Sequence, residues 1–263
     1  SIETTDLAQM TSSQVAAFTT AQVANLTTDQ IVALTSAQAK ALTSAQIAAL
    51  STEQVSQIET GDLVVMTASQ LSKMTTQQIA EGLTSSQVAA LSKTQITGLT
   101  TSQVNSLTTD HLAAMSTSQI RALTAAQVKA LNSDQIANLT TTAFSALAST
   151  QIAAMTTAQV AGFSTSQVAD LSTLQVRGLT AAQLSKMDTE QIASIETTDF
   201  AAMTSVQIAA LTTSQVNNLT TDQIVALSTA QAKALTPAQI GALTTSHLAA
   251  FETSDFAAMS PTQ

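Results

Sequence analysis

The nine residues Leu26-Thr27-Thr28-Asp29-Gln30-Ile31-Val32-Ala33-Leu34 carry every signal of one short, capped helix. Thr27 is a residue type whose hydroxyl accepts from the free amides of a first helical turn. Gln30, three residues on, can reach back to the amide of that cap and close a capping box. Leu26 precedes the cap and Ile31 is the fourth helical residue, the two positions of a hydrophobic staple. Ile31 and Leu34 are then i, i+3 neighbours on one face. At Leu34 the pattern begins again with Thr35 and Gln38.

Outward from Leu26 in steps of eight, the apolar anchor recurs from Ile2 to Met74. After one inserted residue it resumes at Leu83 and continues to Met259, giving 33 anchors in all. Numbering the anchor as position 1, the consensus is Leu-Thr-x-x-Gln-Val/Ile-x-x, with Gln at position 5 in 26 of the 33 octads. No linker divides the chain, so residues 1–263 read as a single continuous array. Apolar positions alternate 5 and 3 apart. One uninterrupted α-helix would rotate such a pattern by about 80° per octad and smear the apolar stripe. A strand needs alternation, which is absent. Charge placement supports a helix restarted in every octad. Fifteen of 17 acids lie at positions 2–5 and seven of eight bases at positions 7 or 8, the ends that the helix dipole favours for each sign. Two-turn helices do not survive alone in water. The expected fold is therefore all-α, an α-solenoid of very short helices, one per octapeptide, with positions 1 and 6 filling its interior. Two octads per coil is the first expectation and three the alternative. With 8–10 Å between helices these imply rods of about 130–160 Å or 90–110 Å. Gln at position 5 either only caps or also forms amide ladders between coils.

A longer unit is superimposed on the octad. Ile2 to Met66 aligns with Ile195 to Met259 at a shift of 193 residues. The two stretches agree at 43 of 65 positions and share the unusual pairs Ala39-Lys40 and Ala232-Lys233. Neither end carries a polar capping repeat. This suggests end-to-end self-association or continuation of the same array.

Departures from the consensus are the candidate sites. Four octads have Glu at position 2 and Asp at position 5: Glu3 with Asp6, Glu59 with Asp62, Glu196 with Asp199, and Glu252 with Asp255. Carboxylates three apart could share Ca²⁺, but calcium wants six or more oxygens. The expectation is that Thr4, Thr60, Thr197 and Thr253 take over the cap, with no cofactor required. His111 and His247 replace Gln at position 5, where an imidazole can serve as the hydrogen-bonding group. The insertion at Glu81-Gly82 reads as a wider turn. Ala143 loses the Gln of one octad and Ala148 the cap of the next, marking a weak point.

Composition excludes several classes. There is no Cys for a disulfide, a thiolate metal site or a cysteine nucleophile. With two His, no nucleophile–base pair and no phosphate loop, the chain does not read as an enzyme. A net charge of -9 argues against nucleic acid as partner. No apolar run approaches the length of a membrane span, and the first residues do not form a signal peptide.

Across its whole length the pattern Leu-Thr-x-x-Gln-Val-x-x-Leu resembles the octapeptide tracts of very large secreted or surface proteins of bacteria, often labelled adhesins or haem-utilisation-or-adhesion proteins. The resemblance implies an extracellular or cell-surface stalk or filament and transfers no catalytic or haem-binding residue. The leading expectation is thus a structural rod within an adhesin or surface fibre. The alternative is a solenoid module that binds a glycan, a cation or a partner protein.

Overall fold

The computed structural model describes residues 2–263 and forms one short helix in each complete octad. The stretch Thr28–Val32 is typical. Thr27 sits before it in extended geometry and accepts from the Gln30 amide, while the Gln30 side chain accepts from the Thr27 amide. Among the described residues there is no strand. Helices end without a left-handed residue, and none of the described residues has positive φ. Instead, the anchor and the following cap are both extended, as at Leu42 (φ -54°, ψ 130°) and Thr43 (φ -71°, ψ 157°). Two extended residues between helical turns redirect the chain at every octad, so the corner needs no glycine.

The cap assignment yields a direct test. Thr27 closes the capping box through its hydroxyl, with Gln30 N–H donating at 3.2 Å, whereas Thr28 is the first helical residue. Thr27→Ala is expected to cost about 0.5–2 kcal/mol and Thr28→Ala far less. Chemical denaturation of the two variants measures the difference, and equal losses would mean that the cap is misplaced by one residue.

Packing falls into two compact units, residues 1–131 and 132–263. Within the first, the helix Ser12–Ala16 packs on Ser36–Ala41, Thr20–Ala24 on Ser44–Ala49, and Lys93–Gly98 on Thr117–Ala122. Within the second, Ser149–Ala154 packs on Thr173–Gly178 and Ser205–Ala209 on Thr229–Ala234. Within each unit the helices therefore rest on the third one along the chain, and a coil contains three octads. This corrects the expectation of two. The physical reason lies in the corner: helix, anchor and cap turn the chain through about a third of a circle rather than half.

Position 6 is the centre of the interior. Val15, Val23, Val55, Ile96 and Ile120 have essentially no exposed surface, and anchors such as Leu42, Leu99 and Leu123 are buried beside them. The residue at position 5 is buried as well: Gln38, Gln46, Gln119 and Gln127 all lie with the core despite their amides. Gln14 and Gln22, which precede the fourth octad, are exposed. Burial of position 5 is thus created by docking onto the coil three octads earlier.

The inserted residue widens a helical turn rather than the connection between helices. Gln78–Gly82 forms a π-helical turn in which Leu83 N–H donates to the Gln78 carbonyl, five residues back, at 2.9 Å. A π-turn absorbs one residue inside a helix without rotating the next octad out of register. Ile79 and Leu83 consequently both reach the core. No helix among the described residues is long and apolar enough to cross a membrane.

Candidate functional site

The chemistry of this chain is concentrated at position 5, and it is repeated rather than singular. In Gln119 the side-chain oxygen accepts from the Ser116 amide at 2.7 Å, closing the cap of its own helix. The side-chain nitrogen points the other way. It donates to the carbonyls of Val88 at 2.9 Å and Leu91 at 2.8 Å, in the coil below. The same fork joins Gln46 to Val15 and Phe18, Gln183 to Ile152 and Met155, and Gln239 to Ile208 and Leu211. The acceptors lie 31 and 28 residues back, at a helix C-terminus: the Val88 carbonyl also accepts from Leu91 N–H at 3.2 Å, and the Leu91 carbonyl lies just beyond the helix end. One amide therefore satisfies the start of its own helix and the end of another. Gln does more than cap, and it forms no amide-to-amide ladder: its partners are backbone carbonyls.

The insertion shows that this register is local. Across the π-turn the offsets grow to 32 and 29, as for Gln95 with Leu63 and Met66. They return to 28 at His111 and Leu83, once both partners lie beyond the inserted residue.

His111 and His247 perform the task of Gln with an imidazole. Thr108 N–H donates to His111 Nδ1 at 3.2 Å, and His111 Nε2 lies 2.9 Å from the Leu83 carbonyl. This pair of partners fixes the neutral tautomer with the proton on Nε2. His247 is arranged alike, with Nε2 3.0 Å from the Leu219 carbonyl. Burial holds the His111 imidazole below its usual pKa, against the opposing pull of the Leu83 carbonyl and the Asp110 charge.

The Glu–Asp octads behave differently from the sequence reading. The helices begin at Thr4, Thr60, Thr197 and Thr253 with Glu3, Glu59, Glu196 and Glu252 in the cap position, and no glutamate side chain makes a cap bond. The threonines do not take over the cap, because they are already the first helical residues. Asp62 and Asp199 are buried and accept hydroxyl hydrogen bonds from the coil below, from Ser36 and Thr173. A carboxylate one methylene shorter than Gln has no proton to donate to a carbonyl, so it takes a hydroxyl instead. Asp255 is also buried, while Asp6 is exposed in the first octad. No three His, Cys, Asp or Glu side chains gather at one point among the described residues.

At the expected weak point, Thr140 still caps its helix through the Ala143 amide at 3.2 Å, but Ala143 has no side-chain amide to send into another coil. Ala148 supplies no cap oxygen, yet its amide still donates to Gln151 Oε1 at 2.7 Å. Each octad thus keeps one half of the box. Separately, a hydroxyl-rich groove of about 500 Å³ runs along the first unit beside Thr76, Thr101, Ser102, Asn105, Ser106 and Ala130.

The model of the ALTTAQ repeat matches residues 1–36, 55–93, 109–141, 192–229 and 219–245, which together make up more than half of the chain. The chain belongs to the ALTTAQ repeat family. Within the matched segments, the six letters of that description correspond to Ala226-Leu227-Ser228-Thr229-Ala230-Gln231, with Ser in place of the first Thr. In structural terms an ALTTAQ unit spans the end of one helix, the anchor, the cap and the first turn of the next, finishing on the bridging Gln. No curated protein matches the chain.

Proposed function

We propose that this ALTTAQ array is a non-catalytic structural segment of an extracellular or cell-surface protein, serving as a rod, stalk or filament of adhesin-like character. The observation that supports this reading is the Gln bridge, repeated at an offset of 31 and 28 residues, or 32 and 29 across the π-turn, and tying coil to coil within each unit. Polar groups are spent on internal connection. Buried side-chain nitrogens and oxygens all have partners among the described residues. Such an array transmits position along its axis and can be lengthened without redesign. Its near-uniform repeat also makes one end complementary to the other, the geometry of open head-to-tail association.

Small-angle scattering tests the proposal. A compact globule of this length has a radius of gyration of about 18 Å. An extended segment is expected to exceed that clearly, with the value rising with concentration if copies stack. A globular value at every concentration would overturn the structural reading. Surface proteolysis of intact cells tests the location, and protection of the array until lysis would remove the extracellular part. A second reading, a binding module for a glycan or partner protein, is favoured by the hydroxyl-lined groove beside Asn105.

A further inference from the structure

One joint of the first unit is bridged by an imidazole, and its geometry works in one protonation state. His111 is buried, with Nδ1 receiving the Thr108 amide proton and Nε2 set against the Leu83 carbonyl of the coil below. We propose that His111 is an acid-sensitive joint: protonation of Nδ1 breaks the helix cap and loosens the docking of Thr109–Ala114 on Ser85–Ala90. This regulates the structural segment proposed above without depending on its location or on end-to-end stacking.

Donor and acceptor roles decide the outcome. Nδ1 of the neutral ring is an acceptor; protonated, it becomes a donor. Its approach to Thr108 would then set N–H against N–H. The ring cannot solve this by flipping, because both nitrogens of the charged ring are donors. The charge would also lie in the first turn of the helix Thr109–Ala114, the end at which the backbone dipole repels cations. Offsetting groups are few. Asp110, on the same helix, favours the charged ring. The helix packed beneath, Ser85–Ala90, has no ionisable side chain. Glu81, two residues before Leu83, is engaged by Gln77 at 2.9 Å. Desolvation by burial is the largest influence and disfavours the charge.

The direction of the pH dependence comes from linkage. The native ring binds its proton less readily than the unfolded ring, whose pKa is about 6.5. The contribution of His111 is therefore complete above about pH 6.5 and is lost as pH falls from there through the lowered native value. Gln, the residue at this position in 26 other octads, makes the same bridge without titrating where a coil lies beneath it, as at Gln119.

The test compares wild type with His111→Gln between pH 7.5 and 5. The wild-type melting midpoint is expected to fall by at least about 2 °C more than that of the variant. All other ionisable groups are common to both chains and cancel. A second readout is hydrogen exchange at the Thr108 amide. Its protection factor should drop on acidification in wild type but not in His111→Gln, while the Ser116 amide, capped by Gln119, keeps its protection in both. Equal pH dependence of the midpoints, with Thr108 protection unchanged, would overturn the proposal.

Discussion

Gln119→Glu is expected to cost about 3–5 kcal/mol at neutral pH, the range for a buried charge deprived of its partner. The change is nearly isosteric and keeps the acceptor that closes the cap at Ser116. What it removes is the donor. The new carboxylate oxygen would face the carbonyls of Val88 and Leu91, which now accept at 2.9 and 2.8 Å. Capping alone does not distinguish Gln from Glu, since either residue completes a capping box. The size of the loss therefore isolates the bridge between coils. Two companions sharpen the result. As pH is lowered into the carboxyl range, protonation supplies an O–H donor and the deficit should shrink. Gln119→His should cost little near pH 7.5, because His111 already makes this bridge. Denaturant titration of the three chains gives the ranking. A neutral outcome for Gln119→Glu would mean that the carbonyls find other partners and that the bridge contributes little.

The second large effect belongs to Phe144. It has no exposed surface, and its ring meets that of Phe163 edge-on with centroids 5.0 Å apart. Phe144 is at position 6 and Phe163 is the anchor three octads after its own, so this contact joins successive coils. Its octad also lacks the amide bridge, because Ala143 stands at position 5. Phe144→Ala removes the largest side chain of that layer and should cost about 3–5 kcal/mol. Leu174→Ala provides the contrast. Leu174 is 70% exposed at position 4, and its truncation should change stability by less than about 0.5 kcal/mol. Thermal or denaturant unfolding of both variants checks the difference. Similar losses would show that the core assignment fails here.

Much of this architecture was legible from the octad. The capped helix, its anchor and its position-6 core all derive from the spacing of Leu26, Thr27, Gln30 and Ile31, and His111 was readable as a replacement for an amide. The coil size was not. Octads are almost uniform, so no residue marks every second or every third one. The longer unit gives no help, because its 24 octads divide equally by two and by three. The bridging role of Gln did have a signal. Position 5 never carries Glu in 33 octads, although Glu would complete the capping box as well. Twenty-eight octads instead have Gln or His, the residues that can accept at one end and donate at the other. The fate of the Glu–Asp octads could not be read from one helix, because the hydroxyls that satisfy Asp62 and Asp199 come from residues 26 positions earlier.

The π-turn at Gln78–Gly82 has a consequence for heredity. A tandem array lengthens and shortens when its copies misalign during replication or recombination, and most such slips move whole repeats. Each bridging Gln finds its carbonyls by relative offset, so whole-octad gains and losses leave the remaining bridges intact. A single-residue slip is more dangerous, because it would turn the following anchors off the core. Here one extra residue has been taken up within a single turn, and the bridge from His111 to Leu83 has already recovered the ordinary offset. The array thus has a means of repairing its own reading frame in space, and copy number is free to drift without a parallel search for compensating substitutions.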